Sequence, residues 1–231
     1  MASDRECDDI AFVKEGLASL ANRRLILPAL LLATSLAVGK IGLLSYLPTA
    51  RNPDHLPYLL AFMLMLLASL AVVVAMLRIL NASARPPWQP DSSLWLYAMV
   101  FVGGAFIGLM ADLVVGGRND HPSGLAAASL SSALWALLAP WFVAIAVEHT
   151  LAWQPGPWLR QFRAWLPSLL LWALLILVPL RHLQLMLNWR FLVSGTDWFW
   201  PAVLVESVLG MVATLVGLAL ASTAYRRVAR S

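Results

Sequence analysis

Two cations and two anions, Lys40, Asp112, Arg181 and Glu206, interrupt stretches of sequence that are otherwise apolar. A charge inside hydrocarbon costs about 2.5–3.5 kcal/mol on insertion scales, so each needs a partner, a route to water or a function. Counted at the helical rise of about 1.5 Å per residue, Lys40, Asp112 and Arg181 stand roughly 22–27 Å from the inner ends of their helices, and Glu206 lies about 10 Å below the outer end of its own. All four then share one level, in the outer third of a bilayer. Lys40 can pair with Asp112 and Arg181 with Glu206, or the partners can be exchanged. The expectation is an intramembrane charged layer opening to the outer face, which is the pattern of a substrate or ion site. Two structural readings compete with it: long apolar stems let Lys and Arg snorkel to the surface, and paired charges can simply fix helix packing.

Other chemistry is less well marked. His55, His121 and His182 would face the same side, near Asp54, Asp120 and Asp197. Zinc accepts imidazole nitrogen and carboxylate oxygen, yet no two of these histidines stand three or four residues apart, so they remain weak metal candidates and no metal or cofactor is expected. After Glu148 and His149 comes a basic, aromatic connector with Trp158, Arg160, Phe162, Arg163 and Trp165. Arginines in such a segment gain about 1 kcal/mol each beside anionic headgroups, or they bind a protein partner. Gly103-Gly104 with Gly108 supplies small residues for close helix approach or dimerisation. The sequence contains no P-loop, dinucleotide fingerprint, HExxH, CxxC or Gly-x-Ser-x-Gly pattern,. No catalytic residue is assigned.

The elements that must position these residues are set by composition. Of 231 residues, 61% are hydrophobic and 12% charged, whereas soluble domains carry about 25% charged residues. A hydrocarbon core about 30 Å thick needs roughly 20 helical residues, and six runs meet that length: Leu25 to Leu47, Pro57 to Leu80, Leu94 to Val115, Leu125 to His149, Trp165 to Leu187 and Phe199 to Leu220. They are continuous rather than alternating, so helices are favoured over a barrel. The expected fold is therefore all-α: a six-helix transmembrane domain over residues 25–222, preceded by an amphipathic segment at 1–24 and followed by a basic tail at 223–231. In the first segment Ile10, Val13, Leu17, Leu20 and Ala21 recur at helical spacing, predicting a short helix on the membrane surface capped by Asp8 or Asp9.

Charge sets the orientation. With both termini cytoplasmic, the inner side receives Arg5, Lys14, Arg23, Arg24, Arg78, Arg85, Arg160, Arg163, Arg226, Arg227 and Arg230, and the outer loops hold only Arg51, Arg118 and Arg190. That asymmetry follows the positive-inside rule. It also accounts for the net charge of +4 without nucleic acid as a partner. Trp88, Trp95, Trp153, Trp158 and Trp165 flank the inner ends and Trp189, Trp198 and Trp200 the last outer loop, as interfacial indoles do. Trp135, Trp141 and Trp172 lie deeper and read as packing residues. Cys7, the single cysteine, would lie in a reducing compartment and has no intramolecular partner.

The leader around Lys14-Glu15-Gly16, the basic Arg23-Arg24 before the first span, and Val147-Glu148 followed by the Gly156 to Trp165 connector resemble a bacterial group in layout. These are six-helix inner-membrane proteins similar to the membrane domain of glycerophosphoryl diester phosphodiesterases. The resemblance implies a multi-pass protein of a bacterial inner membrane. It does not imply phosphodiesterase activity, because this chain has no room for that soluble domain. The functional expectation is a non-enzymatic scaffold or accessory subunit with the bilayer, a membrane-protein partner or further copies of itself as contacts. A small transporter or channel using the charged layer is the first alternative, and a membrane-embedded lipid-modifying enzyme the second.

Overall fold

The structure is a computed structural model that describes residues 2–46, 56–114, 122–148, 166–187 and 199–230. Among them every element is helical. Helix α1 is Ala2–Ser19; a 3-10 turn, Arg23–Leu25, leads into α2, Ile26–Tyr46; α3 is Leu56–Leu80, α4 Ser92–Val114 and α5 Pro122–Glu148. Helix α6, Leu166–Trp172, passes through a π-helical turn, Ala173–Leu177, into α7, Val178–Leu187, and α8 is Phe199–Arg230. Arg23–Ile41, Met63–Leu80, Leu166–Gln184 and Trp200–Arg227 are each long and apolar enough to cross a membrane. Ser92–Gly104 and Ser132–Glu148 are shorter apolar stretches of α4 and α5.

Successive helices run in alternate directions. The end of α3, the starts of α4 and α6, and the ends of α5 and α8 meet at one end of the bundle, here called the terminal end because α1 packs there. Lys40 of α2 and Glu206 of α8 meet at the far end. Helix α8 is the hub, packing on α1, α2, α5 and α7. Its approach to α5 is set by glycine: a Cβ on Gly217 would lie 2.8 Å from the Trp135 ring, so the indole fills the space a side chain would need. Trp135 is thus a packing residue. The indole N–H groups of Trp141 and Trp172 are buried and lack hydrogen-bond partners among the described residues.

The π turn has a local cause. Pro179 cannot donate to the carbonyl of Leu175 four residues back, and its ring would collide with that carbonyl in a regular α-helix. Widening the turn just before a proline relieves this conflict, so the fifth apolar run is one helical passage in two α-helical pieces.

Three expectations are corrected at the terminal end. Helix α1 begins at Ala2, so Asp8 and Asp9 lie within it and cap nothing; Asp9 instead accepts a hydrogen bond from Ser168 of α6. Its buried face is Phe12, Val13 and Gly16 rather than Ile10 and Leu17, which are exposed. The reason is Gly16, where a Cβ would stand 3.1 Å from Leu220 of α8: the absent side chain lets α1 seat closely against α8. Finally, residues 223–230, read as a separate tail, continue α8 as helix. Thr223 and Ala224 are fully buried there.

Candidate functional site

Two polar clusters occupy opposite ends of the bundle. At the far end Lys40 of α2 forms an ion pair with Glu206, in the second turn of α8. Both side chains are mostly buried, which keeps each charge beside its counterion. Helix α7 joins them, with Gln184 Nε2 donating to the Glu206 carbonyl at 3.4 Å. Glycine again permits the approach: a Cβ on Gly210 would lie 2.8 Å from Gln184 Nε2 and 3.2 Å from Leu36 Cδ1. Helices α2, α7 and α8 therefore converge on Gly210, one turn beyond Glu206. A hydroxyl pair, Ser35 and Ser69 at 2.6 Å, ties α2 to α3 nearer the middle of the bundle.

At the terminal end the centre is Arg78, in the last turn of α3 and only 2% exposed. Its guanidinium offers five N–H donors in a fixed fork. Nε donates to the Ala146 carbonyl of α5 at 3.2 Å; Nη1 donates to the carbonyls of Gln89 at 2.8 Å and of Pro86 and Pro87 at 3.4 Å. Nη2 reaches Asp91 Oδ2 at 2.6 Å and Ser93 Oγ at 2.7 Å. One side chain thereby joins α3, the loop 81–91, α4 and α5.

The backbone prepares this arrangement. Helix α3 ends with Ser83 N–H bonded to the Arg78 carbonyl at 2.9 Å and Ala82 N–H to that of Ile79 at 3.3 Å, the paired bonds of a Schellman motif. Ala82 takes the left-handed position at φ 47°, a conformation that favours glycine. The chain returns through Pro86 and Pro87, whose carbonyls face Arg78. Asp91 then caps α4, accepting from Ser93 N–H at 3.1 Å. The same carboxylate accepts from Arg85 Nη1 at 3.1 Å and from the Ser93 hydroxyl. Burial alone would raise the Asp91 carboxyl, but hydrogen bonds from Ser93 and Arg78, the Arg78 charge and the Arg85 bond outweigh it and hold the pKa at about 2.

Around this centre further contacts join the helices and the loop 81–91. Tyr225 donates to Glu148, Asn81 to Ser222 at 2.9 Å, and Arg226 to the Leu80 carbonyl at 2.7 Å. Glu15 of α1 pairs with Arg227 at 2.9 Å, and that guanidinium lies 5.5 Å from the centre of the Phe12 ring. Chemically, such contacts brace helices.

Of the four charges that interrupt the apolar runs, then, Lys40 and Glu206 are brought together in the exchanged pairing. Asp112 lies on α4 and Arg181 on α7, and their side chains lie outside the described residues. His182 is on α7, where its Nδ1 is buried without a hydrogen-bond partner among the described residues. His55 and His121 lie outside those residues, as do Trp158, Arg160, Arg163 and Trp165. No group of three or more His, Cys, Asp or Glu able to hold a metal occurs among the described residues. Gly104 packs against Leu138 of α5, 3.0 Å from where its Cβ would be, whereas Gly103 has no such neighbour among the described residues.

Arg78 is the residue that the sequence reading used only for orientation. A signal was present: an arginine in the last turn of an apolar run, followed across a short proline-rich loop by an Asp-Ser-Ser cap, brings the two charges together once the hairpin closes. No family model, curated protein or solved structure matches this chain.

Proposed function

We propose that this chain is a non-enzymatic integral membrane protein that crosses the bilayer six times, with both termini cytoplasmic, and serves as a scaffold or accessory subunit of a membrane complex. The observation that carries this reading is the use made of Arg78: a fully buried cation on α3 commits its whole donor fork to two further helices and a loop. Buried charge here acts as a helix brace. Helices of 23 residues in α4 and 27 in α5 exceed the roughly 20 that a span requires, which supports six crossings. The concentration of arginine and lysine at the terminal end supports its placement in the cytoplasm, and the resemblance in layout favours a bacterial inner membrane. A braced bundle presenting a basic, tryptophan-flanked end suits a partner-binding role, with the 149–165 connector as the contact segment.

The test is purification of the tagged, full-length protein at native expression level in mild detergent, with co-purifying proteins identified by mass spectrometry. A stoichiometric membrane-protein partner, lost when Arg160 and Arg163 are replaced by glutamine, supports the proposal. Isolation without any partner overturns it.

A second reading rests on the Lys40–Glu206 pair. Ionisable groups within a membrane are by default associated with ion or substrate pathways, and Gln184 adds a polar neighbour. A transporter would give proton or ion flux in liposomes that a folded Glu206→Gln variant lacks. Flux indifferent to that substitution removes this reading.

A further inference from the structure

Helix α4 has a face that no other described residues cover. Trp95, Ala98, Met99, Val102 and Gly103 line a shallow apolar groove of about 580 Å³, with Trp95 62% and Met99 66% exposed. Gly103 forms part of its floor, and a Cβ there would have nothing within 4 Å among the described residues. Internal packing therefore does not require glycine at this position. A side chain would instead project into the groove. From Trp95 to Gly103 the groove runs about 12 Å at helical rise, close to the roughly 15 Å of one leaflet in a hydrocarbon core of about 30 Å.

The start of α4, one turn before the groove, is charged. Asp91, the cap of α4, stands one turn before Trp95 and holds the Arg85 guanidinium through Nη1 at 3.1 Å. Arg85 retains 39% side-chain exposure, while the other guanidinium on Asp91, that of Arg78, is buried. Among the described residues two arginines share this carboxylate, so that part of the cluster carries one surplus positive charge, and Arg85 is the member that faces outward. Trp88, also exposed, lies in the same loop, as expected at headgroup level.

We propose that this face binds an anionic phospholipid, with its phosphate on Arg85 and one acyl chain lying along Trp95 and Met99 over Gly103. The inference rests on the reading of the chain as membrane-embedded. Charge complementarity selects the occupant: a surplus guanidinium at the end of an apolar groove one leaflet long matches an anionic headgroup joined to an acyl chain. A second copy of this chain would bring an identical surplus cation to the same place in any symmetric contact.

Carbonate extraction of membranes first tests the underlying reading: release of the protein into the soluble fraction overturns both, and retention leaves the lipid site to be judged separately. Native mass spectrometry of the full chain in detergent is then run with phosphatidylglycerol and phosphatidylcholine of equal chain length. One phosphatidylglycerol should be retained about fivefold more strongly, because both lipids offer Arg85 a phosphate but the choline ammonium of phosphatidylcholine cancels its net charge. Arg85→Gln should remove the preference between headgroups, and Gly103→Leu should weaken retention of both lipids, with the melting temperature of Gly103→Leu unchanged. Equal retention of the two lipids, or indifference to Gly103→Leu, overturns the proposal. Crosslinking of two chains through Gly103→Cys in native membranes also overturns it, because the groove is then occupied by a second copy.

Discussion

Replacing Arg78 with methionine keeps much of the side-chain length and apolar stem but removes every donor. Asp91 then loses its buried counterion, and the carbonyls of Gln89 and Ala146 lose bonds of 2.8 and 3.2 Å. Breaking a buried pair by removing one member costs about 3–5 kcal/mol. For a protein of this size each kcal/mol moves Tm by about 2–4 °C, so the expected fall is about 6–20 °C. Lysine at the same position retains the charge but cannot reach α5, the loop and α4 together, because it lacks the planar fork; it should recover only part of the loss. The double variant Arg78→Met with Asp91→Leu removes both charges and should be less destabilised than the two single changes added together, by about 0.5–3 kcal/mol. Thermal unfolding in detergent, followed by size-exclusion of the remaining folded fraction, provides the readout. An Arg78→Met protein that melts within about 2 °C of the parent, under 1 kcal/mol on the same scale, would refute the brace.

Four further outcomes follow from the same contacts. The Asp91 pKa is lowered in the folded state from 3.8 to about 2, so its stabilisation is complete above about pH 4 and is lost as pH falls towards 2; melting over that range should show a component that Asp91→Asn abolishes. Ala82→Gly relieves the left-handed backbone at the end of α3 and should raise stability by about 0.5–1 kcal/mol, read from the shift in Tm. Lys40→Met and Glu206→Leu should each destabilise the fold by about 3–5 kcal/mol, with the double variant recovering much of the loss in the same assay; equal, additive losses would argue against the pair. Gly217→Val forces the Trp135 ring from its place and should cost about 1–3 kcal/mol, with a change in tryptophan fluorescence that is absent when Trp135 is replaced by phenylalanine in the same variant.

The helices were legible because continuous apolar runs of bilayer length have few alternatives: the run read as Leu94 to Val115 became Ser92–Val114, and that read as Leu125 to His149 became Pro122–Glu148. Neighbour relations were not legible. Depth along a helix placed Lys40 level with both Asp112 and Glu206, but nothing in the sequence states that α2 lies beside α8. The contacts that decide this depend on Gly210 and Leu36, two residues without polar signal. The same holds for α1, where hydrophobic spacing favoured Ile10 and Leu17, while the seat at Gly16 turned Phe12 inward. Arg78 went unrecognised because an arginine at the end of an apolar run is the ordinary mark of orientation. Its burial depends on a loop closing over it.

Co-purification of the native-level, full-length protein tests the accessory-subunit claim most directly. The account predicts a membrane-protein partner at fixed stoichiometry in mild detergent, retained by the parent and released by Arg160→Gln with Arg163→Gln. A monodisperse preparation containing this chain alone, and conducting ions in liposomes through a route that Glu206→Gln closes, would contradict it.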